Sequence, residues 1–149
     1  MYLLDTCIVS HRSPVQSRHD RIVAEWLRRH GESCYLSVVT LTEIAHGIAW
    51  SRHRGATAKA ARLQAWLEET IDLHGDRILP IDREIALRAG ALLSTARAAG
   101  SAPDTEDAWI AATAELHGLT VLTFNEADFR PLGVAFRNPL TDPPPDLPG

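Results

Sequence analysis

The sequence has few cysteines, a single lysine and no long hydrophobic run. Its 149 residues include only two cysteines, Cys7 and Cys34, which excludes a disulfide-based scaffold and is typical of free thiols in a reducing compartment. No stretch reaches the roughly 18 apolar residues of a membrane-spanning helix, and the N-terminus lacks the basic and apolar regions of a signal peptide. We therefore expect a cytoplasmic protein that does not associate with a membrane.

Several common catalytic motifs are also missing. The chain contains neither a glycine-rich phosphate-binding loop nor a G-x-S-x-G nucleophile elbow. Its seven histidines form no H-x-x-x-H pair, and neither cysteine has a partner at zinc-ligand spacing. These absences argue against a P-loop nucleotide hydrolase, an α/β-hydrolase and a zinc site of common spacing.

Composition and charge indicate one globular domain with an uneven charge distribution. Apolar residues make up 45% of the chain and charged residues 23%, which are ordinary globular values. Residues 1–63 carry nine basic and five acidic side chains, while residues 64–149 carry six basic and fourteen acidic ones. All basic residues except Lys59 are arginines, which suit phosphate contacts but also arise from a compositional bias toward arginine. The pattern permits a basic rim beside an acidic centre.

Predicted strands alternate with predicted helices along most of the chain. This alternation indicates βαβ units and a parallel sheet covered on both faces, and ligands of such sheets bind beyond the carboxyl ends of the strands. The predicted strands are 2–5, 35–39, 77–80, 119–123 and 134–136, and the predicted helices are 20–30, 40–51, 58–73, 83–99 and 104–117. Gly100 and Gly118 end the last two helices. We place one domain at residues 1–140 and an extended or disordered proline-rich tail at 141–149.

Two aspartates occupy positions that favour chemistry. Asp5 directly follows a buried-strand pattern, although an aspartate there also suits a turn or a helix cap. Asp107 begins a helical stripe that continues through Ile110, Ala111 and Ala114. A carboxylate on an apolar stripe must be solvated, paired or bound to a metal, although the helix dipole also favours an acid in the first turn.

Glu43 and a late polar cluster complete the set of candidates. Thr40 and Glu43 have the spacing of a capping box, with Thr40 as N-cap, so both a capping and a functional role are open for Glu43. Asp104 is the expected N-cap of the helix that contains Asp107, with Thr105 as the competing residue. After the strand 119–123, Asn125 and Asp128 belong to a polar cluster that alone would indicate an ordinary loop.

The acids are more informative as a group than singly, because each follows a predicted strand or begins a predicted helix. Two carboxylates about 4 Å apart repel by about 4 kcal/mol at an effective dielectric constant of about 20, so such a cluster needs protons or a cation. Oxygen ligands favour Mg²⁺ or Mn²⁺, and a carboxylate-bound cation of this kind serves phosphoryl chemistry. The residues therefore indicate metal-dependent phosphodiester or phosphate chemistry.

Four motifs, in order, resemble those of the PIN-domain ribonucleases. The resemblance is to the VapC toxins of type II toxin–antitoxin pairs, near the FitB-like branch, and it covers about residues 1–140. The motifs are Leu3-Leu4-Asp5-Thr6, Ser37-Val38-Val39-Thr40-Leu41-Thr42-Glu43-Ile44, Asp107-Ala108-Trp109-Ile110-Ala111-Ala112-Thr113-Ala114, and Leu122-Thr123-Phe124-Asn125 with Asp128-Phe129.

The resemblance implies a three-layer α/β/α fold with a central parallel sheet and an acidic pocket that binds Mg²⁺ or Mn²⁺. Asp5 and Asp107 match the metal-coordinating aspartates of the family. Glu43 matches the glutamate that binds the metal directly or through water. Asn125 stands where many relatives have a fourth acid, and Asp128 is the alternative source of that carboxylate.

Two further residues belong to the implied site. Thr6 matches a hydroxyl that orients the first aspartate in the family. Cys7 stands where the family usually has asparagine, which changes the hydrogen bonding behind the site. Asp104 and Glu106 lie beside the third motif and are candidates to join the site.

The implied activity is hydrolysis of RNA phosphodiester bonds by the toxin of a VapBC-type pair. The implied partners are an RNA substrate, a VapB-type antitoxin that inserts a basic side chain among the acids, and a second copy of the chain. Apolar stripes around Ile22, Val23, Trp26 and Trp50 suit either a partner interface or the core. The alternatives are a non-catalytic PIN-like binding module and a PIN-type nuclease that acts on DNA or structured nucleic acid.

Overall fold

A five-stranded sheet forms the centre of the computed structural model, which describes residues 1–15 and 21–145. The order of the strands is β3-β2-β1-β4-β5, and every neighbouring pair is parallel, as the alternating pattern predicts. The strands are β1 Tyr2–Leu4, β2 Cys34–Ser37, β3 Ile78–Leu79, β4 Thr120–Leu122 and β5 Phe136–Arg137.

Helices cover both faces of the sheet and produce the predicted three layers. Because successive strand residues point to opposite faces, Leu3 and Val121 belong to one core cluster and Leu4 and Leu122 to the other. The first cluster includes α5 and α6, and the second includes α1 to α4. The helices are α1 Thr6–Ser10, α2 Arg21–His30, α3 Val38–His53, α4 Thr57–His74, α5 Arg83–Ala98, α6 Thr105–Leu116 and α7 Glu126–Phe129.

The central strand β1 places the first acid in the middle of one sheet edge. Leu3 pairs with Tyr35 on β2 and with Val121 on β4, so β1 is flanked on both sides. Asp5 continues this pairing, because its backbone N–H donates a 3.0 Å hydrogen bond to the carbonyl of Leu122. The chain then turns into α1. Asp5 therefore lies at the carboxyl edge, where parallel sheets bind ligands.

The predicted boundary between the second strand and the next helix is wrong. The strand ends at Ser37, and α3 begins at Val38. Ser37 is the N-cap, and its hydroxyl accepts a 3.1 Å hydrogen bond from the backbone N–H of Val39. Thr40 is a buried residue of the first turn, and Glu43 lies in the second turn, so the two do not form a capping box. Val38 and Val39 favour strands intrinsically, but the capped helix overrides that preference.

Other boundaries agree more closely with the sequence pattern. Gly100 and Gly118 follow the ends of α5 and α6 with φ values of 83° and 64°, as expected for glycine after a helix. The short helices α1 and α7 were not predicted, because four or five residues show no helical period. The predicted helix start at residue 20 lies outside the described residues, as does the chain end from 146.

The tryptophans on the predicted apolar stripes have different environments. Trp26 and Val23 are buried in the core, so these two residues serve core packing, while the side chain of Ile22 lies outside the described part of the chain. Trp50 is 55% exposed and stacks on His53 instead. At the start of the proline-rich end, the backbone carbonyl of Asn138 accepts hydrogen bonds from the backbone N–H groups of Thr141 and Asp142, which form a turn. Within residues 1–15 and 21–145, no helix has the length and hydropathy needed to cross a membrane.

Candidate active site at the carboxyl edge of the sheet

Asp5 is buried, and both of its carboxylate oxygens accept hydrogen bonds. Oδ1 accepts a 2.6 Å bond from the backbone N–H of Thr6, which makes Asp5 the N-cap of α1. Oδ2 accepts a 2.7 Å bond from the hydroxyl of Thr123 and a 3.1 Å bond from the thiol of Cys7. The predicted capping role of Asp5 is thus present, and the same contacts fix its carboxylate at the sheet edge.

Glu43 reaches the same edge from α3. Its half-buried carboxylate accepts a hydrogen bond from the hydroxyl of Thr6. Burial raises the pKa of Glu43, the bond from Thr6 lowers it, and the charges of Asp5, Glu106 and Asp104 raise it further. Glu43 is therefore placed among other acids.

The hydroxyl that orients Asp5 differs from the expected one. Thr6 was expected to orient Asp5 through its hydroxyl, but that group binds Glu43, and only the backbone N–H of Thr6 binds Asp5. Thr123, at the end of β4, supplies the hydroxyl instead. A threonine directly after a buried strand was the available sequence signal for this role.

Asp107 lies in the first turn of α6 and is half-buried. Asp104 is the N-cap of this helix, as expected, although its side chain makes no capping hydrogen bond. Burial raises the pKa of Asp107 to about 7, and the charges of Asp5, Asp128, Glu43 and Asp104 contribute in the same direction. An aspartate with this pKa carries a proton in about half of the molecules at neutral pH, unless a cation replaces the proton.

Asp128 and Asn125 have different relationships to Asp107. The half-buried Asp128 on α7 raises the pKa of Asp107 through its charge. Asn125 is exposed at the N-cap position of α7, and its backbone N–H donates a 2.9 Å hydrogen bond to the hydroxyl of Thr123. Thr123 therefore links the start of α7 to Asp5.

Cys7 supports the site as a protonated thiol. It donates to Asp5 and accepts a 3.3 Å hydrogen bond from the backbone N–H of Phe124. Burial raises the pKa of Cys7 to about 12, and the neighbouring charge of Asp5 contributes in the same direction. Because the thiolate is the nucleophilic form, Cys7 serves as a hydrogen-bond partner and not as a nucleophile.

The donor set of the edge fits a hard divalent cation. Asp5, Glu43, Asp107 and Asp128 offer only oxygen ligands, and the ion pairs found among the described residues involve other acids. In residues 1–15 and 21–145, no three histidine, cysteine or acidic side chains already stand in a metal-binding arrangement. A cation bound between these carboxylates would offset their mutual repulsion.

Comparison with known proteins gives one family match over most of the chain. The profile of the PIN domain matches residues 2–133. Toxin FitB of Neisseria gonorrhoeae is 35% identical over 144 residues, which cover 95% of this chain and 100% of that protein. A VapC ribonuclease of Sinorhizobium fredii is 30% identical over 141 residues, which cover 93% of this chain and 97% of that protein.

Solved structures give the same result. The crystal structure of FitAcB from Neisseria gonorrhoeae superposes with a TM-score of 0.82 at 34% identity, covering 95% of this chain and 99% of that chain. VapBC-5 of Mycobacterium tuberculosis, a member of the VapBC family of toxin–antitoxin systems, superposes with a TM-score of 0.62 at 27% identity. That match covers 91% of this chain and 94% of the other.

Proposed function

This chain belongs to the PIN-domain family, and we propose that it is a divalent-metal-dependent endoribonuclease that acts as the toxin of a VapBC-type toxin–antitoxin pair. Its relatives of 30% identity or more include a toxin and a ribonuclease, and each match covers more than nine-tenths of this chain. The activities named for the relatives thus agree with the metal-dependent chemistry expected of the acids at the carboxyl edge of the sheet.

The acidic surroundings of Asp107 are the observation that supports the proposal most strongly. Its pKa of about 7 results from burial and from the charges of acids on other elements, among them Asp5, Asp128 and Glu43. Such an arrangement destabilises the ionised apo site, and a divalent cation relieves the repulsion. Acids from three other parts of the chain therefore act on this one aspartate.

Asp5 and Asp107 are the residues that would hold the cation, and Glu43 would bind it directly or through a water. Asp128 is the better source of the fourth carboxylate, because its charge acts on Asp107 whereas Asn125 is exposed at a helix cap. Mg²⁺ or Mn²⁺, when bound there, supplies activation of a water and stabilisation of negative charge on the phosphate.

The surrounding side chains hold the acids in place. Thr123 and Cys7 fix one oxygen of Asp5, and Thr6 holds Glu43 through its hydroxyl. Asp107 releases its proton when the site is loaded, because a metal ligand must be deprotonated. Hydrogen bonds behind metal ligands orient them and tune their affinity.

The proposed partners are an RNA substrate, a VapB-type antitoxin and a second copy of the chain. The similarity to VapBC-5, a member of a toxin–antitoxin family, supports the antitoxin. A basic side chain entering the edge would be attracted by Glu43 and Asp107 and would compete with the cation. The antitoxin would then inhibit the nuclease because its basic side chain occupies the metal site.

Cleavage of RNA by the antitoxin-free protein tests the proposal. Total cellular RNA is incubated with the protein in Mg²⁺ or Mn²⁺, and in excess chelator, and fragments are resolved by electrophoresis. We expect discrete fragments that require the cation and that disappear with Asp107→Asn. Asp72→Asn is the matched control, because Asp72 is an exposed acid on α4.

Two results would contradict the proposal. Fragments that persist in chelator would exclude metal dependence, and fragments that persist with Asp107→Asn would exclude the proposed site. Absence of any fragmentation, in a protein shown to bind Mn²⁺, would favour the non-catalytic binding module.

A further inference from the structure

A pocket of about 280 Å³ adjoins the acidic edge, and it shares Thr6 and Glu43 with the candidate site. Beyond these two residues its walls include Ser10 on α1, Ser51 on α3, and Lys59 on α4. The volume is close to the lower limit of small-ligand pockets, which is about 300 Å³. A ligand that reaches Glu43 through this pocket therefore passes the hydroxyl groups of Ser10 and Ser51 and the ammonium group of Lys59.

Lys59 is the single lysine of the chain and has no partner of opposite charge in the described residues. It is exposed in the first turn of α4, where the helix dipole disfavours a positive charge. The next residue, Ala60, is fully buried, which fixes this turn against the core. The backbone at Lys59 is therefore held against the core, and the positive charge of Lys59 is neither balanced by an ion pair within the described part of the chain nor stabilising for α4.

A positive charge beside the acidic edge favours the approach of a polyanionic substrate. Glu43, Asp104 and Glu106 present negative charge at or near the surface, and they repel phosphate groups. Lys59 opposes this repulsion from the wall of the pocket. Phosphate contacts position a nucleic acid without reading its sequence, and a lysine ammonium group can make such a contact.

We propose that Lys59 binds the phosphate of a nucleotide next to the scissile bond, and that the pocket between α1, α3 and α4 receives that nucleotide. The proposal rests on the proposed ribonuclease function and adds the site that positions its substrate. Ser10 and Ser51 supply hydroxyl donors, and Trp66 supplies an aromatic surface in the same wall.

The salt dependence of RNA binding tests this role independently of cleavage. A fluorescein-labelled, random-sequence 20-nucleotide RNA is titrated with the full chain carrying Asp107→Asn, so that the RNA stays intact. We expect Lys59→Gln to weaken binding about threefold to tenfold at low salt. The slope of log K against log salt should fall by about 0.7, the value for one phosphate contact on a single strand. Lys59→Arg should restore both quantities.

Arg83→Gln is the control, because it removes one exposed positive charge at the start of α5. The ion pair of Arg88 with Glu115 places that end of α5 beside the end of α6 and away from Asp107. Arg83→Gln should change the slope by much less than Lys59→Gln. Equal slopes for Lys59→Gln and the parent protein would overturn the role of Lys59, whatever the outcome of the cleavage assay. Failure of the ribonuclease function would instead appear as absent cleavage by the protein without Asp107→Asn, and the binding measurement would remain interpretable. In an active enzyme, Lys59→Gln should raise KM and leave kcat nearly unchanged.

Discussion

Thr123 donates a 2.7 Å hydrogen bond from its hydroxyl to Oδ2 of Asp5, and the two residues lie 118 positions apart in the chain. The bond crosses the central strand pair at the point where β1 and β4 end. It ties the first acid of the site to the segment that leads into α7, since Thr123 also accepts a bond from the backbone N–H of Asn125. The orientation of the Asp5 carboxylate therefore depends on Thr123, which is not one of the proposed metal ligands.

Replacement of Thr123 tests this dependence. Thr123→Val keeps the shape of the side chain and removes the hydroxyl, so we expect metal affinity to fall about 10- to 100-fold, the usual effect of losing such a partner. Isothermal titration with Mn²⁺ measures the change. Thr113→Val is the matched control, because Thr113 is equally buried and its hydroxyl binds a carbonyl within α6. Equal affinities for the two variants would contradict the positioning role.

The start of α3 provides a test of the corrected cap. Ser37→Ala removes the acceptor for the backbone N–H of Val39 and should cost about 1 kcal/mol, lowering Tm by about 3 °C. Thr40→Val should leave Tm unchanged or raise it, because the buried hydroxyl of Thr40 has no hydrogen-bond partner within residues 1–15 and 21–145. Thermal unfolding measures both. A larger loss from Thr40→Val than from Ser37→Ala would favour the capping box instead.

Much of the fold could be predicted from local patterns, and the failures have local causes. The helices α5 and α6 have clear periods and are followed by Gly100 and Gly118, so their ends were predicted closely. Ser37 and Thr40 are both good caps three residues apart, and only the hydrogen bond from Val39 distinguishes them. The boundary of α3 was therefore placed too late.

The candidate site shows the same division between local and long-range information. Asp5, Glu43 and Asp107 could be singled out because each acid follows a predicted strand or begins a predicted helix. The partners of their side chains come from distant segments, as with Thr123 for Asp5. No periodicity within a segment encodes such a pair, so the sequence pattern predicted the acids but not the hydroxyl that orients them.

Asp107 gives the metal-free protein a distinctive pH dependence. Its pKa is about 7 in the folded chain, and the unfolded chain has the ordinary value near 4. The folded state binds the proton more tightly, so this group contributes stability that is present below about pH 4 and is lost as the pH rises through 7. Between pH 5 and pH 7.5, Tm in chelator should fall less for Asp107→Asn than for the unmodified protein.

The effect of added cation on Tm should have the opposite pH profile. Protons compete with Mn²⁺ for Asp107 below about pH 7, so the rise in Tm caused by Mn²⁺ should grow from pH 5 to pH 7.5. A shift of the same size at both pH values would show that Asp107 is not a ligand.

Both cysteines should resist alkylation while the protein is folded. Burial raises the pKa of Cys7 to about 12 and that of Cys34 to about 11, so at pH 8 at most about one molecule in a thousand carries either thiolate. Intact-mass measurement after treatment with iodoacetamide should show an unmodified native protein and two modifications in urea. Modification of native Cys7 at the rate of a free thiol would contradict its assigned place behind Asp5.

Binding of Mn²⁺ to the antitoxin-free protein at pH 7.5 is the most direct test of the account, because it needs neither a known RNA nor a partner. Isothermal titration should give saturable binding that is lost in Asp107→Asn and retained in Asp72→Asn, and the bound ion should displace protons from the site. Equal binding by the two variants, or no binding by the unmodified protein, would contradict the claim that these acids form a metal centre.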